Sequence, residues 1–289
     1  MQPQGLLHME SDNHLGRVLN PFSAGLSIQP CAGPMCRSLR DMDLFLRVIL
    51  AQKPYLKDPL LVPIPWTGPN TGVVKLKIGI MATDGMITPA PPILRAISWA
   101  QKRLEHCADV EVKSFAPYQA REVLSLVRRI FMPDGGVGFK NILAASVIDV
   151  ATDSSHVSDI ALLRSERDEY RRTMAKHWNE QDVDIVLMPV FVGPAPAHDT
   201  AIYKSYTSVW NLVDHPAVSI PTPLYAGATG SEVYADSHVL GEEDAFVRRA
   251  WEETSFEGAP LSLQLVARKH HDNLLFGALQ LLKQPLQLV

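Results

Sequence analysis

Apolar positions recur along the chain with two periods, and these predict helices that alternate with strands. Ile93, Ile97 and Leu104 lie at helical spacing after a pair of prolines at 91 and 92, which suit a first helical turn. The apolar run at 185–188 is typical of a strand covered on both faces. The predicted helices begin at Ser38, 91, 117, 158, 206 and 272, and the predicted strands are 76–81, 110–115, 182–190, 217–220 and 261–266.

For two of these helices the sequence also predicts which side chains face the core. The segment Ser38-Leu39-Arg40-Asp41 is a capping box, and the helix it opens is predicted to end at Pro54 with an apolar face formed by Phe45, Val48 and Ile49. In the helix at 158–180, one face is predicted to carry Tyr170, Met174 and Trp178. On the opposite, solvent-facing side we expect Asp168 to pair with Arg172.

Strands alternating with helices predict an α/β fold, layered α/β/α around a mixed sheet. The expected organisation is an irregular lead-in over 1–32 followed by one domain over 33–289. Within that domain, the proline-rich stretch 54–70 is predicted to cross the surface without regular structure. The polar stretch 225–253 is predicted to be an irregular surface insertion.

Composition narrows the class of protein. The 289 residues are 46% hydrophobic and 20% charged, which is ordinary for a globular protein, and the net charge of −4 gives no reason to expect nucleic acid or an anionic membrane as a partner. Three cysteines leave at least one unpaired, which favours a reducing compartment. Because neither a secretory signal nor a membrane span is recognisable, we expect a soluble, cytoplasmic protein.

Several motifs are weighed against simpler interpretations. Asp134-Gly135-Gly136-Val137-Gly138 matches no phosphate-binding fingerprint and is expected to be a turn, and His270-His271-Asp272 points three ligands in different directions, so no metal is expected there. A triad using His198 or His215 lacks a nucleophile elbow. No cysteine has an activating environment. We therefore expect neither a metal nor a cofactor. The sequence also contains no fingerprint of a redox or nucleotide-binding enzyme.

The stretch 206–216 combines aromatic and small polar residues just before a strand. This mixture suits an apolar pocket with a few fixed polar groups. Simple packing of a helix on a strand explains it as well, with Trp210 in the core and Asn211 near the helix end.

Five segments together resemble the C-terminal portion of the amidase signature family, in particular its fungal acetamidase-like branch. They are Gly33–Asp41, Leu76–Met81, Asp182–Val190, Tyr206–Pro221 and Gly258–Arg268, and the resemblance runs from about Gly33 to the C-terminus. It implies an incomplete amidase signature fold, and in the last segment Ala267 replaces the usual glycine. It also implies that 206–216 lies near the acyl-binding pocket, so that Thr207, Trp210 and Asn211 are expected to bind substrate.

The resemblance implies hydrolysis of carboxamides through a Ser–Ser–Lys triad held in two glycine- and serine-rich blocks that precede Gly33. Residues 1–32 contain Ser11, Ser23 and Ser27, but neither block and no lysine. Lysines 75, 77 and 140 match no motif position, so we assign no catalytic residue.

We therefore expect a truncated amidase that is inactive by itself, and if it has a substrate we expect a small-molecule amide. Three alternatives stay open. The chain is a functional amidase in a longer gene product, or it becomes one by pairing with a partner chain, or it is a non-catalytic remnant that binds acyl groups or amides. Sheet edges left uncovered would favour self-association.

Overall fold

The computed structural model describes residues 7–10, 28, 33–58, 61–68, 72, 74–131, 157–196, 203 and 205–288. Seven strands and seven helices lie in these ranges, with one 3₁₀ turn at Pro54–Leu56. In chain order they are β1 (Leu7–Glu10), β2 (Met35–Cys36), α1 (Leu39–Ala51), β3 (Leu76–Ile80), α2 (Pro91–Glu105), β4 (Val110–Ser114), α3 (Ala120–Phe131), α4 (Val157–Gln181), β5 (Ile185–Pro189), α5 (Ser205–Val213), β6 (Ala217–Tyr225), α6 (Glu242–Glu253), β7 (Pro260–Ala267) and α7 (Asp272–Leu282).

All seven strands form a single mixed sheet in the order β2-β1-β6-β7-β5-β3-β4. Strand β3 runs parallel to β4 and β5, whereas the pairs β5–β7, β7–β6, β6–β1 and β1–β2 are antiparallel. The α/β/α prediction with a mixed sheet is therefore confirmed.

Two apolar cores cover the two faces of the sheet, because alternate residues of each strand point to opposite sides. On β7, Leu261, Leu263 and Leu265 enter the core beneath α1, α2 and α7, whereas Val266 enters the core beneath α3, α4 and α5. Strand β5 is buried along its whole length, as its apolar run predicts.

Helix α1 begins as expected and turns a different face to the core. Ser38 is its N-cap, and the Ser38 hydroxyl accepts a hydrogen bond from the backbone N–H of Asp41 at 3.2 Å. The side chains that reach the core are Leu39, Met42 and Leu46. The predicted apolar face is wrong at Phe45 and Val48, which are 40% and 56% exposed.

In α4, Tyr170, Met174 and Trp178 are buried in the second core, as their spacing predicts. The predicted pair of Asp168 with Arg172 is wrong. Arg172 instead bonds Glu169, one turn earlier, and Asp168 pairs with its neighbour Arg167. Both arrangements satisfy the charges near the surface, and the sequence does not distinguish between them.

Two segments predicted to be irregular contain a strand or an α-helix, and a third, 54–70, begins with the 3₁₀ turn Pro54–Leu56. Within 1–32, Leu7–Glu10 forms strand β1 between β2 and β6. Within 225–253, Glu242–Glu253 forms helix α6, whose buried side chains include Asp244 and Trp251. The turn predicted at 134–138 lies outside the described residues. No helix in the described ranges has the length and apolar character needed to cross a bilayer.

Candidate functional site

Helix α5 carries the three residues predicted to bind substrate. Trp210 is buried in the second core, where its ring packs edge-on against Trp178 with 6.1 Å between ring centroids. Thr207 and Asn211 are half-buried and lie one turn apart on the same side of the helix. The structure thus places an aromatic ring and two polar side chains on neighbouring positions of α5.

A small cavity of about 30 Å³ lies beside Trp210. A cavity of this size has room for one or two water molecules. Its walls are aromatic and apolar apart from a few polar side chains, and they comprise Met81, Asp84, Phe115, Pro117, Tyr118, Ala120, Val123, Tyr170, Met174, Met188, Ser205, Tyr206, Val209 and Trp210. Neither Thr207 nor Asn211 lines it, so the structure brings only Trp210 of the predicted trio to this cavity.

Asp84, which the sequence analysis missed, lies in the loop after β3 and is the polar centre of this region. One carboxylate oxygen accepts hydrogen bonds from the backbone N–H groups of Met86 and Ile87 at 2.9 and 3.1 Å. The other accepts from the hydroxyls of Tyr203, at 2.6 Å, and Ser205. Four neutral donors therefore hold a carboxylate that is only 7% exposed.

Tyr206 ties the same loop to α5. Its hydroxyl accepts from the backbone N–H of Asp84 at 3.2 Å and donates to the carbonyl of Ile87 at 3.0 Å. Burial, and then the charge of Asp84, raise the pKa of Tyr206 and of Tyr203, so both phenols remain protonated donors. The side-chain amide of Gln264 adds a further link by donating to the carbonyls of Tyr206 and Pro189.

His215 is a structural residue. Its Nδ1 lies 2.9 Å from the carbonyl of Val213, and its ring contacts those of Trp178 and Trp210. Burial lowers its pKa to about 4, so the ring is neutral at neutral pH. A carbonyl as the Nδ1 partner, with aromatic rings alongside, is unlike the carboxylate and serine partners of a catalytic triad. His198 lies outside the described residues.

The two buried serines of α5 and the described cysteine Cys36 lie in settings that do not favour a nucleophile. The Ser205 hydroxyl donates to Asp84, and the buried Ser208 hydroxyl has no hydrogen-bond partner within the described part of the chain. Burial and the nearby Asp41 raise the pKa of the Cys36 thiol, which disfavours the thiolate. Cys107 is also a free thiol.

Two lysines of the sheet, Lys77 on β3 and Lys113 on β4, pair with one carboxylate. The Nζ atom of Lys77 lies 2.8 Å from both carboxylate oxygens of Asp182, and Lys113 bonds the same carboxylate. The hydrogen bond with Asp182 raises the pKa of Lys113, so Lys113 does not suit the role of a neutral proton acceptor. Lys140 lies outside the described residues.

A cleft larger than the cavity beside Trp210 lies elsewhere, between the loop 229–239 and α6. It has a volume of about 870 Å³. The guanidinium of Arg248 forms part of its wall, packs 4.3 Å from the centre of the Tyr234 ring and bonds the buried Asp244. The sequence analysis, which predicts an irregular insertion over 225–253, missed this cleft, although Trp251 and the acidic first turn of α6 are signals of an ordered helix.

No group of three or more His, Cys, Asp or Glu side chains in the described ranges is placed to hold a metal ion. In particular, 270–272 does not gather into such a group. The described geometry of the α5 region therefore offers hydrogen bonds and apolar surface, which are the means of binding a small polar molecule.

Comparison with known proteins assigns the chain to a family. The model of the amidase family matches residues 16–160 and 138–276. A Schizosaccharomyces pombe protein named as an amidase is 32% identical over 262 residues, covering 86% of this chain and 48% of the relative. The acetamidase of Emericella nidulans is 22% identical over 276 residues, covering 88% and 50%. The chain thus spans about half the length of these curated relatives.

Solved structures share the fold. A fatty acid amide hydrolase superposes with a TM-score of 0.85 at 22% identity, covering 97% of this chain and 53% of the other. A 6-aminohexanoate cyclic dimer hydrolase complexed with its substrate gives 0.65 at 16% identity, covering 98% and 61%. Together with the sequence matches, these likenesses lead to one conclusion: the chain belongs to the amidase signature family and corresponds to the C-terminal portion of its members.

Proposed function

We propose that this chain is the amide-binding portion of an amidase, and that by itself it binds a small carboxamide without hydrolysing it. One observation carries the proposal. An α/β/α scaffold of the amidase fold is present, yet the 289 residues contain neither a Gly-Ser-Ser-Gly-Gly block nor a Gly-Gly-Ser-x-Arg-x-Pro block. In this family those two blocks supply the Ser–Ser–Lys triad.

Hydrolysis of an amide requires a serine that a neighbouring base makes nucleophilic. The Ser205 hydroxyl donates to the carboxylate of Asp84, but the cavity beside them is about 30 Å³ and holds no more than one or two water molecules, and Lys77 and Lys113 are paired with Asp182. These arrangements support the proposal that the lone chain does not attack a carbonyl.

Binding is assigned to the side of α5 that carries Thr207, Trp210 and Asn211. An amide group offers one acceptor and, when primary, two donor hydrogens, and the hydroxyl of Thr207 and the side-chain amide of Asn211 can each donate and accept. Trp210 supplies apolar surface behind them. Since the adjoining cavity is only about 30 Å³, the ligand would lie against the half-exposed Thr207 and Asn211.

The same proposal places the protein in the cytoplasm, without nucleic acid or membrane as a partner. Cys36 and Cys107 are free thiols, which suits a reducing compartment. The net charge of −4 favours neither anionic partner.

A second candidate is a working amidase in which this chain is completed by the catalytic portion, in a longer product or from a partner chain. The observation that favours it is the length of the relatives, of which this chain covers 48–50%. In this case the binding surface of α5 serves a triad that lies on the other portion.

The lone chain can be tested with acetamide and benzamide, using acetate and benzoate as matched non-amide ligands. We expect saturable binding of the amides by ligand-observed NMR, weakened at least fivefold by Asn211→Leu and unchanged by Asn179→Leu on the exposed side of α4. We also expect no ammonia release and no covalent adduct with a fluorophosphonate.

Release of ammonia that a single Ser→Ala substitution abolishes would overturn the first proposal. Turnover that appears only when the catalytic portion is added would support the second. Equal binding by the wild-type chain and the Asn211 variant would remove the assignment to α5.

A further inference from the structure

Helix α1 leaves part of its apolar surface uncovered. Leu44, Phe45 and Val48 are 60%, 40% and 56% exposed. Because positions i, i+1 and i+4 lie on one side of a helix, these three side chains form a contiguous patch, which we call the outward face of α1. The core-facing residues of the helix are Leu39, Met42 and Leu46, on its other side.

The surroundings of the outward face resemble those of a protein–protein interface. Helix α1 packs against β2, which is the last strand at its end of the sheet, and Met35 of β2 is 73% exposed. Arg37 and Arg40 are exposed beside the start of the helix. An apolar centre with an arginine-containing rim and an edge strand is the composition expected of a docking surface.

The length of the relatives provides a candidate for the partner that covers this surface. The chain corresponds to the C-terminal portion of proteins about twice as long. In those relatives the remaining portion precedes the part that corresponds to this chain, so it enters the fold ahead of β1, the strand that pairs with β2 beside α1. Isolated exposed apolar residues need no explanation, whereas a contiguous patch at this junction does.

We propose that the outward face of α1 binds the N-terminal portion of an amidase fold, which also carries the catalytic blocks. This inference rests on the proposed function in taking the chain as the C-terminal portion of an amidase. The edge of β2 adds backbone hydrogen-bonding groups to the same contact. Bound there, the N-terminal portion removes Leu44, Phe45 and Val48 from water.

The test co-expresses the full 289-residue chain with the tagged N-terminal half of the Schizosaccharomyces pombe relative, the part that precedes its match to this chain. We expect the two to co-purify. The double substitution Leu44→Asp/Val48→Asp is expected to reduce recovery of the complex at least tenfold. Leu162→Asp is the matched control, since Leu162 is 62% exposed on α4 in the opposite helical layer, and it should change recovery less than twofold.

Failure of the wild-type chain to co-purify overturns the proposal, and so does equal recovery with the double variant. Sedimentation velocity of the lone chain adds a second arm, in which a dimer that the double variant abolishes would assign the face to a second copy instead. Amide binding by the lone chain is measured separately, so failure of this proposal is distinct from failure of the proposed function.

Discussion

Asp84 and Asp244 are both buried carboxylates that hold the loop between β3 and α2, yet their partners differ. Asp84 accepts from two backbone N–H groups and two hydroxyls, all of them neutral. Asp244 accepts from the N–H of Thr88 at 2.7 Å and of Leu240 at 3.0 Å, and also from the guanidinium of Arg248 at 3.0 Å. Among these contacts, only Asp244 has a cation.

The difference follows from what each carboxylate has to hold. Arg248 also donates to the carbonyls of Asp236 and His238, so its charge organises the loop ahead of α6 as well as Asp244. Around Asp84 the donors come from the loop itself, from Tyr203 ahead of α5 and from Ser205 at the start of α5, and no guanidinium is needed to satisfy its oxygens. The α5 side thus keeps a negative charge bound by neutral groups, next to the proposed amide site.

The largest loss of stability is expected when Arg248, the cation paired with Asp244, is removed. Arg248→Ala leaves Asp244, which is 0% exposed, as an unpaired buried charge and should cost about 4 kcal/mol of the free energy of unfolding. Urea denaturation measures it. Arg249→Ala, at the exposed neighbouring position, is the control and should cost less than about 0.5 kcal/mol. A cost below about 1 kcal/mol at Arg248 would show that the ion pair does not organise this loop.

A smaller loss of stability is expected at Asp84, whose four donors are all neutral. Asp84→Asn keeps the shape and replaces one acceptor oxygen by an NH₂ group that faces donors, which should cost about 2–3 kcal/mol. Tyr203→Phe removes one donor while the other three contacts remain, and should cost about 1 kcal/mol. If the two substitutions cost the same amount, Asp84 is not the centre of the cluster. Denaturation by urea again provides the measurement.

The sequence predicts the secondary-structure elements better than it predicts which side chains contact each other. The Ser38 N-cap and the buried positions of α2 follow from local pattern and are present in the structure. The core-facing side of α1 does not follow, because two apolar stripes are available and only the neighbouring elements select one. Asp84 is invisible to sequence analysis since Tyr203 and Ser205 lie 119 and 121 residues away. The substrate role of Thr207, Trp210 and Asn211 remains a prediction.

The smallest loss of stability is expected at Asp182, a carboxylate that is exposed where Asp84 and Asp244 are buried. Hydrogen bonds from Lys113 and Lys77 lower its pKa from the ordinary 3.8 to about 2. A carboxyl whose pKa is lower in the folded than in the unfolded state stabilises the fold above the unfolded value, and that contribution is lost as the pH falls through the folded value.

Asp182→Asn should therefore lower the urea midpoint slightly and by a constant amount above about pH 4, with the difference from wild type disappearing between about pH 4 and pH 2. Asp109→Asn, at another exposed aspartate, serves as the control. Because the lysine contacts of Asp182 are open to solvent, 1 M salt should shrink the difference, whereas the cost of Asp84→Asn should persist. A difference that survives below pH 2 would mean that Asp182 acts through its shape rather than its charge.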